Sequence, residues 1–279
     1  MDSIDRWFEN LDPDDIEGAA TAVMDGQAER PADWPTVAVD TGFVDSETAY
    51  YDRLRTASIT AAEAAVTERE LADDRQLLHA VRSLEDCDRT ANELAERLAE
   101  WAGTQFEDAG TGVEYARELT EREPTDPATA RLVSLAERVT VLAEEAVALR
   151  QYIETTAPEV APNLSALAGP VLAARLISLA GGLEALAKMP SGTLQVLGAE
   201  DALFAHLHGS APSPKHGVIY THEYVRGTAP ENRGSAARAL AGKLSIATRI
   251  DHYSGDRRPE LEDELDERIE TIRSREESQ

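Results

Sequence analysis

The stretch that decides the fold is residues 77–101, which read LLHAVRSLEDCDRTANELAERLAEW. Apolar and small residues recur in it every three or four positions, as a helix with one buried stripe requires. The members of this stripe are Leu77, Val81, Leu84, Cys87, Ala91, Leu94, Leu98 and Trp101. Their spacing is close to the heptad seam of a coiled coil, so the stretch predicts a long helix with its cysteine packed in the seam.

A second seam follows the turn Pro124-Thr125-Asp126-Pro127. Pro127 suits the first turn of a helix and Asp126 suits its N-cap. The seam then continues through Leu132, Leu135, Val139, Leu142, Ala146, Leu149 and Ile153. Two seams joined by a proline turn predict an antiparallel helical hairpin, either as a protruding coiled coil or packed within an ordinary bundle.

Patterning is weak before the first seam. The acids of Asp12-Pro13-Asp14-Asp15 can cap a short helix, whereas Thr36-Val37-Ala38-Val39 alternates as a strand does. We therefore expect a small α/β or irregular region at residues 1–70, followed by the hairpin at 71–157.

Beyond Pro158 the sequence changes to short helical stretches punctuated by glycine and proline. These predict an all-helical domain at residues 158–258. The last segment, 259–279, is a charged helix with Leu261, Leu265, Ile269 and Ile272 on one side, which predicts docking through that stripe. The fold class expected from the whole sequence is mainly α.

The 279 residues carry a formal net charge of −26, and only three of the 27 basic residues are lysines. Carboxylates bind water and cations strongly, whereas the lysine stem adds apolar surface beside its charge. This balance favours a protein adapted to a salt-rich cytoplasm. The alternative is an acidic protein that binds basic partners.

The charge is uneven along the chain. Residues 161–258 contain ten Lys or Arg against seven Asp or Glu, together with all three lysines and five of the six histidines. A locally basic segment on so acidic a background indicates a polyanionic partner.

Several classes of function lack their sequence signals. The single cysteine, Cys87, allows neither an intrachain disulfide nor a thiolate metal cage, and no run of about 18 apolar residues is present. The acidic start of the chain does not resemble a secretion signal, which favours a cytoplasmic protein. Phosphate loops, dinucleotide fingerprints and nucleophile elbows are also missing, and we expect neither catalysis nor a cofactor. One alternative remains, a metal-dependent hydrolase that uses His206, His208 and His222.

The most informative stretch is Gly198–Asp251. Its loop places Lys215, His216 and Gly217 together, and such a loop can lay an imidazole against an exposed base. The helical part that follows spaces Arg238 and Arg249 among small residues, with Arg233 and Lys243 on neighbouring faces. The alternative is a protein-binding helical adaptor whose cations pair with nearby carboxylates.

Four blocks in this part of the chain together resemble the Nop-domain family. They are APNLSALAGP at 161–170, ARLISLAGGLEALAKMPSGTLQVLGAEDALF at 174–204, PKHGVIY at 214–220 and RGSAARALAGKLSIATRID at 233–251. The resemblance is to the archaeal members of the family, which also includes eukaryotic nucleolar Nop proteins. It is dense from about residue 157 to 256 and looser over both seams.

The resemblance implies the core scaffold of a box C/D guide ribonucleoprotein. In that family a Nop domain binds kink-turn RNA together with a small ribosomal-like protein already on it. A coiled coil pairs two copies, and an N-terminal domain holds fibrillarin, which methylates ribose 2′-hydroxyls.

Carried onto this sequence, the resemblance implies two sets of contact residues. The RNA-facing set is Lys215, His216, Gly217, Arg233, Arg238, Lys243 and Arg249, and the protein-facing set is Gly198, Ala199 and Glu200. Asp201 and Ser235 stand where the family usually has a basic residue. The N-terminal region and the hairpin are also shorter than is usual in the family.

Overall fold

The computed structural model describes residues 6–26 and 32–274. Within those residues every regular element is helical and no strand is present, which confirms the mainly α fold class. The chain divides into two compact units, one ending at Ala72 and the other beginning at Asp73.

The first unit contains helices α1 (Ile16–Asp25), α2 (Trp34–Asp40) and α3 (Glu47–Leu71). The expected strand at residues 36–39 is wrong, because these residues lie within α2. Asp33 precedes this helix and Pro35 stands in its first turn, and both residue types favour a helix start. They outweigh an alternation of only four residues. The helix expected after the first acidic run is present, with Asp15 as the N-cap of α1.

An aromatic cluster forms the core of this unit. Phe8 stacks on Phe43 with ring centroids 5.2 Å apart, and Trp7 packs edge-on against both rings. The Trp7 Nε1 group donates a hydrogen bond to the hydroxyl of Tyr50 at 3.1 Å. The region is therefore a small packed helical unit.

The hairpin is formed by α4 (Asp73–Ala102) and α6 (Pro127–Val160), with the short α5 (Gly112–Thr120) between them. Asp126 caps α6 as expected, since its carboxylate accepts hydrogen bonds from the backbone N–H groups of Ala128 and Thr129. The two long helices pack against each other through both seams. Cys87 is half-buried against the core, as its place in the seam predicts, and burial raises the pKa of its thiol.

The rest of the second unit is built around one long helix, α13 (Arg233–Tyr253). The shorter helices of this part are α7 (Pro162–Ala168), α8 (Pro170–Ala180), α9 (Leu183–Lys188), α10 (Ser191–Val196), α11 (Glu200–Leu207), a 3₁₀ turn (Val218–Thr221), α12 (Glu223–Arg226) and α14 (Glu260–Ser274). Helices α7, α9, α10, α12 and α14 all contact α13.

Helix α14 docks as its sequence predicts. Its apolar residues Leu261, Leu265, Ile269 and Ile272 are all buried in the core of the second unit.

In the described residues no single helix is long and apolar enough to span a membrane. The consecutive helices α7 and α8 meet such a length and composition only when taken together, and they are bent by 116°.

Candidate nucleic-acid interface

A short backbone stem supports the loop that carries His216. The N–H groups of Gly217 and Val218 donate to the carbonyls of Gln195 and Leu197, both at 2.8 Å. The Gln195 side chain donates to the Lys215 carbonyl at 2.7 Å. Residues 195–198 and 215–218 therefore lie side by side. The segment between them, which contains α11 and the loop after it, begins and ends at this stem.

Gly217 lets the two backbone segments of the stem approach closely. A Cβ atom at this position would lie 2.0 Å from the carbonyl oxygen of Leu197, so no side chain fits. The absence of a side chain at Gly217 is therefore required by the packing of the chain on itself.

Four residues form what we call the His216 cluster: Lys215, His216, Tyr220 and Arg233. The imidazole of His216 stacks on the Tyr220 ring, with centroids 4.6 Å apart and planes 24° from parallel. The Arg233 guanidinium lies 5.6 Å from the centre of the same ring. Three elements thus contribute to one cationic and aromatic surface.

Contacts with the backbone fix the two cations of the cluster. The Nε group of Arg233 donates to the carbonyl of Thr228 at 3.0 Å. The stem of Lys215 lies against Gly234, where a Cβ atom would be 3.7 Å from the lysine Cδ. Lys215 thus packs along the start of α13, at the distance of ordinary van der Waals contact.

Burial lowers the pKa of His216, and the charges of Arg233 and Lys215 lower it further. The ring is therefore neutral at neutral pH, flat, and supported on one side by Tyr220. Such a platform suits stacking with an unpaired base, while the two cations suit the phosphates on either side of that base.

The exposed face of α13 continues this surface. Arg238, Gly242, Ile246 and Arg249 follow one another at steps of four, four and three, which places them on one side of the helix. The only carboxylate in α13 is that of Asp251, which is buried. Among the four described helices of more than 20 residues, α13 alone has no exposed Asp or Glu.

Lys243 does not lie on this face. It is half-buried and forms an ion pair with Glu264 of α14. Arg249 remains on the exposed face, where its Nε group donates to the carbonyl of Ala187 at the end of α9 at 3.1 Å. Lys215, His216 and Arg233 thus come together in the cluster, Arg238 and Arg249 extend it along α13, and Lys243 is turned away.

The residues expected to face a protein, Gly198, Ala199 and Glu200, form the entry to α11. Gly198 has a positive φ of 80°, and its N–H group donates to the Glu200 carboxylate at 2.8 Å. The helix that follows has no buried residue, and Phe204 and Leu207 are 61% and 70% exposed. Helix α11 therefore begins at the stem that also carries His216, and it exposes apolar side chains.

The described residues contain no group of three His, Cys, Asp or Glu side chains that could hold a metal ion. The Nδ1 atom of His222 accepts a hydrogen bond from the Tyr224 N–H group. His206 lies in the exposed α11, where its Nδ1 atom is 3.0 Å from the carbonyl oxygen of Ala211. The geometry does not support the hydrolase alternative.

Tyr220 is the member of the cluster that the sequence did not identify as functional. It lies four residues after His216 in the PKHGVIY block, within the short 3₁₀ turn. Its place in the same PKHGVIY block as His216 was the available signal.

Comparisons with known proteins find relatives for most of the chain. A family model described as "Nop: snoRNA binding domain, fibrillarin" matches residues 82–273. An uncharacterized NOP5 family protein of Methanocaldococcus jannaschii is 38% identical over 237 residues, which cover 72% of this chain and 57% of that protein.

Eukaryotic relatives match a similar part of the chain. Nucleolar protein 58 of Schizosaccharomyces pombe is 34% identical over 65% of this chain and 43% of its own length. Nucleolar protein 56 of Mus musculus is 33% identical over 65% of this chain and 38% of its own length. The chain thus spans about half the length, or less, of these curated relatives.

A similar solved structure is a chain from the crystal structure of a fibrillarin/Nop5p complex. The TM-score is 0.54 at 25% sequence identity, and the match covers 97% of this chain and 99% of that one. The similarity in structure therefore extends to the N-terminal region, beyond the part that the family model matches.

Proposed function

The chain belongs to the Nop family, and on that premise we propose that it is a non-catalytic core scaffold of a box C/D guide ribonucleoprotein. It binds kink-turn RNA and positions fibrillarin for methylation of ribose 2′-hydroxyls. The observation that carries this proposal is the acid-free, cationic face of α13, continuous with the His216 cluster, on a chain of net charge −26. A surface of this kind suits a polyanion.

The RNA contacts divide by chemistry. His216 and its Tyr220 support offer a stacking surface for a base, while Lys215, Arg233, Arg238 and Arg249 lie where they can neutralise phosphates. Gly217 shapes the stem. Lys243 is turned away from this surface and instead holds α14 through its ion pair with Glu264.

The second part of the target is the small kink-turn-binding protein. Gly198, Ala199 and Glu200 direct α11 away from the stem with Phe204 and Leu207 exposed. An apolar surface beside a cationic one suits a composite target, in which a protein covers the helix and its RNA meets the cluster.

The remaining assignments follow the proposed domain limits. Residues 1–70 hold fibrillarin, 71–157 form the coiled coil, 158–258 form the Nop domain, and 259–279 are the C-terminal segment that contains the docked α14. Every second seam residue of α6, namely Leu135, Leu142 and Leu149, is only half-buried. Val141 and Val147 of the same helix are 55% and 50% exposed, and this apolar surface supports a homodimer through the hairpin.

The test is a gel shift with kink-turn RNA that already carries its small protein. We expect His216→Ala to remove most of the joining, because the base loses its platform, and Arg249→Glu to abolish it by placing a carboxylate beside phosphate. Arg131→Glu is the matched control, since this exposed arginine lies on α6 of the hairpin and the change in net charge is the same.

Two outcomes count against the proposal. Unchanged shifts for both His216→Ala and Arg249→Glu mean that RNA does not bind at this face. If the chain binds the small protein and fibrillarin equally tightly without RNA, it is a protein-binding adaptor instead.

A further inference from the structure

The far end of α13 has a feature that the kink-turn contact does not use. Tyr253 ends the exposed stripe of the helix and is 68% exposed, and Ile246 two turns earlier is 42% exposed. Twenty residues separate Arg233 from Tyr253, which is about 30 Å along a helix. Tyr253 therefore lies well beyond the reach of the His216 cluster.

Two cations accompany this tyrosine. Arg249 lies one turn before Tyr253 on the same face, and its Nε group is held by the Ala187 carbonyl at 3.1 Å. Lys188 is the next residue after Ala187 and lies close enough to Tyr253 to interact with it electrostatically. A carboxylate, Glu184, also pairs with Lys188 on the outer side of α9 at 2.5 Å.

We propose that Tyr253, Arg249 and Lys188 form a second RNA contact, which stacks on an unpaired base of the single strand that leads out of the kink-turn element. The tyrosine supplies the stacking surface, and the two cations supply partners for the phosphates on either side of the stacked base. This inference rests on the proposed function and adds to it the class of RNA that the distal end of the surface binds.

Charge and surface shape favour single-stranded RNA at this position. No exposed carboxylate interrupts α13 between the His216 cluster and Tyr253. Gly242 lies midway, and a Cβ atom there would have no neighbour within 4 Å among the described residues, so the helix surface is low and open. Two of the three lysines of the chain, Lys188 and Lys215, lie at opposite ends of this path. The phosphates of a single strand can pair with the cations along this helix face.

The experiment compares two RNAs, each carrying the small kink-turn-binding protein. One contains only the kink-turn element, and the other has an added single strand of about ten nucleotides at its 5′ or its 3′ end. We expect an extension at one of these ends to tighten binding about tenfold, because one more base then stacks. Tyr253→Leu should remove this gain and leave the affinity for the short RNA unchanged, whereas Tyr253→Phe should retain the gain.

The matched control is Tyr152→Leu, since Tyr152 is 45% exposed on α6, away from this face. It should bind both RNAs as the parent does. If the short RNA itself fails to join, the proposed function fails. If the short RNA joins but neither extension tightens binding, or Tyr253→Leu keeps the gain, the second contact is absent. If Tyr253→Leu weakens the binding of both RNAs equally, the second contact is also overturned, because that result indicates a structural role for Tyr253.

Discussion

The ring of His222 caps α12. Its Nδ1 atom accepts a hydrogen bond from the Tyr224 N–H group at 3.2 Å, which requires that Nδ1 carries no proton. Burial lowers the pKa of His222, although the nearby Glu223 acts in the opposite direction. The cap is therefore made by the neutral form of the ring.

This lowered pKa predicts how stability depends on pH. As the pH falls below about 6.5, the unfolded chain takes up a proton at His222 and the folded chain does not, so folding becomes less favourable. The loss continues down to the folded pKa and then stops. Between pH 7.5 and 5.5, His222→Gln should reduce the slope of unfolding free energy against pH by at most about 1.4 kcal/mol per pH unit.

Urea titrations of both proteins at several pH values measure this slope. His216→Gln is a necessary comparison, because burial also lowers the pKa of His216 and its contribution has the same sign. Identical slopes for the parent and His222→Gln would show that His222 titrates alike in the folded and unfolded chain.

Single residues of the site were predictable only in part. The cations and His216 could be found because the basic segment stands out from an acidic chain, and the Nop-like blocks place them in order. The pairing of Lys243 with Glu264 could not be found, since it depends on how α14 lies against α13. The role of Tyr220 depends likewise on three elements meeting at one ring.

At the scale of elements, Asp251 joins helices that are distant in sequence. One carboxylate oxygen accepts from the backbone and side-chain N–H groups of Asn163, at 3.0 and 2.6 Å, and the other accepts from the Leu164 N–H group at 2.8 Å. An acid of α13 thus caps α7, whose own N-cap residue, Ala161, supplies no side-chain bond. The side-chain Oδ1 atom of Asn163 in turn accepts from the backbone N–H group of Arg258, just before α14.

Asp251→Ala should therefore lower the free energy of unfolding by about 3–5 kcal/mol, because it leaves buried N–H donors without an acceptor. Asp251→Asn should cost less, since its amide retains the volume and one acceptor oxygen. Denaturant unfolding followed by circular dichroism measures both. Asp263→Ala, at an exposed position of α14, is the control and should stay within about 0.5 kcal/mol of the parent. Equal stability of Asp251→Ala and the control would contradict a structural role for this cap.

The long helices were predictable from sequence, whereas the short helix α2 was not. A seam repeated over seven or eight positions defines α4 and α6 without ambiguity, and the Asp126–Pro127 start of α6 has strong local signals. In α2 the alternation of four residues matched a strand, although capping chemistry favoured a helix. The cap from Asp251 joins residues 88 positions apart, and no local pattern encodes a contact of that range.

At the scale of the whole molecule, charge is separated between surfaces. Helix α13 has one buried acid in 21 residues, whereas the neighbouring α14 has seven acids in 15. The sequence already showed a segment of about +3 within a chain of −26, but not that the positive charge gathers on one helix face. Repulsion among the acids must oppose folding, while the cationic face attracts RNA.

These two effects predict opposite responses to salt. Raising KCl from 0.1 M to 1 M shortens the screening length from about 10 Å to about 3 Å, so repulsion among the acids weakens and the melting temperature should rise. Over the same range the joining to RNA should weaken, because each phosphate contact releases counterions.

Neutralising exposed acids of α14 separates the two responses. Asp263→Asn, Glu267→Gln and Glu270→Gln together reduce the formal charge from −26 to −23, at exposed positions away from the RNA face. This variant should melt higher than the parent in 0.1 M KCl and gain less from added salt, with the salt dependence of RNA binding nearly unchanged. A parent whose melting temperature does not rise with KCl, or a variant with the parent's full gain, would show that repulsion among the acids does not limit stability. In that case the acidic surface would need another explanation, such as the binding of a basic partner.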